Sequence, residues 1–425
     1  MSDGFMGFKA LGCCAAALLG TAAILPSTST LQWNPLRSAK DRSTSELQRP
    51  SLLKKSAFTT TTTTTTIGTA IPTTTTSPYP ELTTIPSNFD IQTELVPVAI
   101  PASSAPDVGA FRFMCGPGQI AADDPIVFPG QPGKSHLHQF FGNTGANAYS
   151  TYQSLRTTGQ STCMSPLNRS GYWIPALLNG KGSVIRPDGV GIYYKRWPET
   201  SPHCNTRKTY PNGFDVEGVA CLPLPNGLRF IFGFNMLNPG QAPTGAVQFM
   251  CAEQVVNWET MTQALNRCRS LGSGVHHFLA RIAAPTCWDG KNLDSADHRS
   301  HIAYATYSDQ PDGMNGWGYL RCPTDHPYVI PEFTMTVGYT IESTDDTTLW
   351  HYASDEMIAG GAPGSTFHAD WFGAWDPVVQ SMWTDNCINK NLNCSGGNLG
   401  NGFVMKMYSG FTTGEPVPRL VPIPS

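Results

Sequence analysis

From Phe111 onward, short runs of β-branched and aromatic residues recur between clusters of Gly, Pro, Asn and Asp. The runs are FRFMC (111–115), GYWIPALL (171–178), GIYYKRW (191–197), LRFIFGF (228–234), AVQFMCA (246–252), HHFLARI (276–282), IAYATY (302–307), FTMTVGYTI (333–341), TLWHYA (348–353) and FVMKMY (403–408). Many alternate apolar with polar side chains, the period of a strand with one buried face. No longer repeat marks a propeller or solenoid. Two stretches follow the helical period instead. In WDPVVQSMWTDNCIN (375–389) Asp376 is placed to cap, Pro377 to open the first turn, and Val378, Val379, Met382 and Trp383 to form one face. NWETMTQALNRC (257–268) is a weaker candidate. The pattern predicts a mainly β, β-sandwich-like, disulfide-bonded domain over 107–425, with long loops and one or two short helices.

Upstream the pattern changes twice. One lysine, Lys9, precedes an apolar run from Ala10 to Leu25. The run is shorter than the ~20 residues a stable span needs, so 1–25 reads as a secretory leader, with an uncleaved signal anchor as the alternative and the only route to a membrane. Residues 26–106 carry a threonine octet, Thr59–Thr66, and scattered Pro and Ser. With no apolar side chains to offset ordering entropy, this tract is expected to form an extended stalk, bare or O-glycosylated.

Charge and cysteine content narrow the class. Net charge is −4 and only 14% of residues are charged, with no basic run beyond Lys54-Lys55, which excludes an electrostatic nucleic-acid surface. Of twelve cysteines, Cys13 and Cys14 lie in the leader and ten remain, none in a CxxC pair. Up to five disulfides in an oxidising compartment is the economical reading. Asn168-Arg169-Ser170 and Asn393-Cys394-Ser395 are glycosylation sequons.

Against this sparing use of charge, three clusters stand out. In SHLHQF (135–140) an extended backbone puts His136 and His138 on one face, half of a metal site. CWDGKNLDSADHRSH (287–301) crowds Asp289, Lys291, Asp294, Asp297, His298, Arg299 and His301 into one loop. Spacings of three and four would bring Asp294, Asp297, His298 and His301 together on a helical turn and supply an oriented base; a loop whose polar groups cap its own backbone is the bland alternative. In STFHADWFGAWDP (365–377) His368 and Asp370 repeat the two-residue spacing beside Trp371 and Trp375, and Asp355 lies upstream. Rings next to carboxylates suit sugar stacking, and core packing is the alternative. There is no GxSxG, GxxxxGK[ST] or HExxH.

The motifs DPIVFPGQPGKSHLHQFFGN (124–143), GYWIPAL (171–177), CWDGKNLDSADHRSHIAY (287–304), CPTDHPYVIPEF (322–333) and FHADWFGAWD (367–376) occur in order. Through them the chain resembles a secreted family catalogued as domain of unknown function nineteen-ninety-six. The resemblance implies an extracellular role connected with polysaccharide, without a reaction. It carries His136, His138, Asp289, Lys291, Asp294, His298, His301, His326, His368 and Asp370 as motif positions.

The expectation is therefore a secreted protein acting on extracellular or cell-wall polysaccharide, by hydrolysis. Asp294, Asp297, His298, His301, Asp289 and Lys291 are the catalytic candidates. Trp371, Trp375, Tyr172, Trp173 and Arg299 are the substrate-binding candidates. His136, His138, His368 and Asp370 are candidate ligands of a divalent metal ion. The alternative is a non-catalytic carbohydrate-binding or wall-structural protein. The enzyme reading requires the three clusters to converge.

Overall fold

Alternation sorts the side chains of the long strands between two faces, and two sheets close over the apolar ones. The computed structural model describes residues 80–103, 108–205, 218–239, 247–308, 319–409 and 411–424. The leader, Cys13, Cys14 and the threonine tract lie outside the described residues.

The larger sheet has seven strands, in the spatial order Gln254–Glu259, Val247–Cys251, His276–Ala283, Glu332–Ile341, Gly189–Arg196, Gly109–Cys115 and Asn393–Cys394. A second sheet of five strands runs Arg229–Gly233, His368–Phe372, Gly171–Pro175, His138–Gly142 and Ile120–Ala121. They face each other through aromatic rings. Phe333 of the first sheet meets Phe230, Phe232, Trp371 and Tyr172 of the second at centroid separations of 6.0, 5.5, 5.1 and 6.4 Å. Smaller sheets and bridges flank this pair, and the described chain is mainly β as the alternation predicts.

The helix expected at 375–389 is present as Pro377–Trp383, with Asp376 accepting from Val378 N and Pro377 in its first turn, and continues as a π-helical turn over Thr384–Ile388. The second helix is Met261–Ser270, starting later than expected because strand Gln254–Glu259 takes the first residues. A further short helix, Tyr152–Thr157, went unpredicted.

The cysteines pair as Cys115–Cys163, Cys204–Cys221, Cys251–Cys268, Cys287–Cys322 and Cys387–Cys394. Five such bonds belong to an oxidising environment. Among the described residues no helix is long and apolar enough to cross a membrane.

Two expectations need correction here. Residues 80–103, assigned to the extended stalk, fold onto the domain. Leu95–Pro97 pairs antiparallel with Phe403–Met405, Phe89 and Ile91 pack on the core, and Ser87 Oγ donates to Asp376 Oδ2 at 2.5 Å. These apolar side chains supply what the threonine tract lacks. The sequon at Asn168 is fully buried, its Nδ2 donating to Tyr172 Oη at 3.1 Å, so it is closed to a glycan in the folded chain; Asn393 is exposed.

Candidate metal centre

The five-stranded sheet has an inner face turned to the seven-stranded sheet and an outer face that carries the chemistry. Along His138–Gly142, His138 and Phe140 point outward while Phe141 joins the core; along His368–Phe372, His368 and Asp370 point outward while Trp371 joins the core. Asp370 is registered opposite Trp173 on one side and Ile231 on the other. Gly233 lies opposite His368 at φ 90°, and a Cβ there would stand 2.9 Å from the His368 Cα, so glycine lets the strands close beside the histidine.

The loop before His138 covers this face. Asp123 accepts from Gly133 N (2.9 Å) and Ala148 N (3.1 Å), and Asp124 Oδ1 accepts from Ile126 N and Val127 N. The loop so held brings His136 in from outside the strand. The rings of His136 and His138 lie 4.2 Å apart, those of His136 and His368 5.0 Å, and those of His138 and His368 6.1 Å, centroid to centroid. One ligand atom from each of the three histidines lies within 4.8 Å of the others, and the same holds for Asp124, His138 and Asp370. Ligands at about 2.0–2.2 Å from one ion stand at most about 4.4 Å apart, so only small side-chain rotations separate this arrangement from a coordination shell.

Hydrogen bonding leaves the ligand atoms over. Nδ1 of His138 donates to the Asp123 carbonyl at 3.0 Å and Nδ1 of His368 to the Thr366 carbonyl at 2.8 Å, which fixes the tautomer and leaves Nε2 as the lone-pair atom. Nε2 of His136 and His138 and both carboxylate oxygens of Asp370 are buried without a hydrogen-bond partner among the described residues. Burial lowers His136 to about 4; burial, then the neighbouring imidazoles, hold His138 well below its ordinary value. His368 is lowered well below it by burial, His136 and Arg299. All three are therefore neutral, the state a metal ion requires. Burial and the Asp124 carboxylate push Asp370 well above the usual range, and burial raises Asp124 to about 6. Two buried carboxyls, that of Asp370 without a partner among the described residues, stand beside three neutral imidazoles.

The Cys287 loop reaches this face along the open edge of strand Arg229–Gly233. Arg229 N donates to Leu293 O at 3.0 Å, Ile231 N to His298 O at 3.1 Å, and Arg299 donates to the carbonyls of Gly233 (3.3 Å) and Phe234 (2.7 Å). Arg299 thereby stands close enough to Asp370 and His368 to act on both electrostatically, and His298 acts on Asp124. The three sequence clusters converge.

Within the loop, roles divide. Asp294 accepts from His298 Nδ1 at 2.8 Å and from Arg229 Nε at 2.7 Å; burial opposes its ionisation, but these bonds hold it below the usual carboxylate range. His298 itself sits at φ 55°, a conformation that a residue of its size adopts only when its surroundings impose it. Asp289 and Asp297 take the bland role. Asp289 accepts from the backbone N–H of Lys291 and Asn292, while Asp297 accepts from those of Arg299 and Ser300 and from Ser295 Oγ. His301 is buried, with Nε2 donating to Arg229 O at 2.9 Å and Nδ1 2.8 Å from Ser295 Oγ, so it latches the loop to the strand. His326 holds the loop from outside, Nε2 donating to Ser300 O at 2.9 Å. Lys291 is exposed on the turn. The expected helical turn is a run of bends and isolated three-residue hydrogen-bonded turns, His298 N to Ser295 O and Ile302 N to Arg299 O.

The aromatic platform is also corrected. Trp371, Trp375 and Tyr172 are at most 1% exposed and belong to the core, and Trp173 is fully buried against Phe140 at 5.3 Å. None offers a ring face to a sugar. Asp355 is structural as well, accepting from Tyr352 N, Gly364 N and Thr366 N. Asp124 and Arg229 were missed: Asp124 heads the first quoted motif, whereas Arg229 sits 65 residues from its partner in an ordinary strand.

A family model described as Domain of unknown function (DUF1996) matches residues 124–375, more than half of the chain, and the chain belongs to that family. No curated protein and no solved structure matches it.

Proposed function

We propose that the chain is a secreted, metal-assisted hydrolase of extracellular or cell-wall polysaccharide. One observation carries the reading: His138 joins His136 and His368 in one triad and Asp124 and Asp370 in another, and Nε2 of His136 and His138 and both Asp370 carboxylate oxygens are buried without a partner among the described residues. Imidazole nitrogen with carboxylate oxygen is a donor set for Zn²⁺, Mn²⁺ or a similar divalent ion. Such an ion would polarise the bond to be cleaved and favour deprotonation of water. Asp124 adds charge and a further donor. Arg299, tied to two carbonyls, contributes fixed positive charge beside Asp370. Asp294, clamped by Arg229, orients His298 through its Nδ1, so His298 can take a proton at Nε2 and return it to a leaving oxygen. The disulfides support export, and the resemblance through the five motifs supports polysaccharide as the substrate class.

Protein stripped with chelator is expected to take up close to one equivalent of Zn²⁺ by calorimetry, with a rise in its unfolding midpoint, and His138→Ala to abolish both. Product release from a panel of wall polysaccharides is expected to require the ion, and Asp294→Asn to lower it by about 100-fold or more at unchanged ion stoichiometry. Failure of wild-type protein to bind any divalent ion stoichiometrically sinks the reading.

A further inference from the structure

Strand Gln254–Glu259 and helix Met261–Ser270 enclose an open groove of about 560 Å³, lined by Val256, Trp258, Glu259, Gln263, Asn266 and Arg267. Trp258 is 70% exposed at φ 65°, where a bulky side chain is a rarity and glycine would be at ease. A large ring kept in that conformation and offered to solvent is a feature with a use. Arg267 gives both Nε (2.7 Å) and Nη2 (2.5 Å) to a single oxygen, Oε1 of Glu259. The other oxygen, Oε2, is buried without a partner among the described residues, on a side chain only 7% exposed.

We propose that this groove binds a neutral, β-linked hexopyranose chain. The groove's cation and anion neutralise each other, so nothing in it selects an ionic ligand. What remains is a flat indole face and the side-chain amides of Gln263 and Asn266. A β-linked glucose-type ring, with its hydroxyls equatorial, presents a flat C–H face to an indole while its edge donates and accepts hydrogen bonds. Strand addition from a protein partner fits less well. The edge strand is registered to its neighbour only at Phe249↔Glu259 and Cys251↔Gln254, and the positive φ at Trp258 interrupts the ladder a new strand would follow. The ligand class is shared with the reading above, but none of the metal-centre residues is used, so the two can fail separately.

The test titrates the full chain with β-1,3- and β-1,4-linked glucose hexasaccharides, by calorimetry and tryptophan fluorescence. Wild-type protein is expected to bind one of them. Trp258→Ala should weaken binding at least about ten-fold and Asn266→Ala measurably, with unfolding midpoints unchanged because both positions are exposed. Asp370→Asn should bind the hexasaccharide as wild type does while losing affinity for Zn²⁺. No binding by wild type, equal binding by Trp258→Ala, or loss only in Asp370→Asn overturns the proposal.

Discussion

His138 and His368 each commit Nδ1 to a backbone carbonyl, Nε2 of His138 is left bare, and Asp370 has no donor for either oxygen among the described residues. Such atoms cost free energy unless a cation satisfies them, which gives Asp370→Asn opposite effects under two conditions. In chelator the variant should unfold at a higher temperature than wild type, because an unmatched buried carboxyl is gone. In saturating Zn²⁺ it should unfold lower, because a ligand is gone; matched scans of both proteins read the crossing. A second buried carboxyl makes a pH prediction away from this site. Asp188 is raised to about 6 by burial, against the hydroxyl of Thr340 that donates to it at 3.0 Å. Because its folded pKa exceeds its unfolded one, the folded state binds the proton more tightly, and stability falls as pH rises from about 4 to about 6. Asp188→Asn should remove that loss, gaining on the order of 1–3 kcal/mol over wild type at pH 7 and nothing at pH 3.5 in denaturant titrations. At this scale the outward pairing of His368 with Asp370 was legible, because an i, i+2 pair on a strand shares a face, whereas His136 reaches the same place from the loop before its strand. The same rule argued against the stacking platform: if Asp370 points outward, Trp371 points inward. Arg229 was illegible because only the folded sheet edge brings it to Asp294.

Helix Pro377–Trp383 depends on one side chain for two purposes. Asp376 caps it through Val378 N and also accepts from Arg156 Nη2 at 2.8 Å, with the Arg156 side chain 1% exposed. Asp376→Ala removes the cap and strands a buried guanidinium, a loss of about 3–5 kcal/mol in equilibrium unfolding, whereas Asp376→Asn should retain the cap and lose less. Asp-Pro before a helical period is a local signal, and it placed this helix correctly. For Met261–Ser270 the local signal was present but passed over: Thr260 and Gln263 form a capping box, which marks the start that periodicity blurred. The Cys287 loop shows the limit of element reading. Its spacings suggested a helical turn, but backbone-capping by Asp289 and Asp297 and the Ser295–His301 contact give a bent loop docked on a strand edge.

Across the whole molecule, alternation and cysteine parity carried the architecture, while the N-terminal boundary escaped because the apolar residues of 80–103 are interrupted by proline and follow directly on the threonine tract. Residues 80–103 contribute a strand, apolar contacts and the Ser87–Asp376 bond, so a chain beginning at residue 108 should unfold about 5–10 °C below one beginning at residue 80. The five disulfides have a consequence for synthesis. They span 48, 17, 17, 35 and 7 residues, and each joins a cysteine to the next one along the described chain. No bond encloses another's partner, so in an oxidising environment every bond can close once its own segment has been made, without waiting for later sequence. Oxidation can then proceed segment by segment in chain order. A chain arrested after Cys163 should already carry its first crosslink, with His136 and His138 inside the closed segment, while His368 and Asp370 have yet to be made.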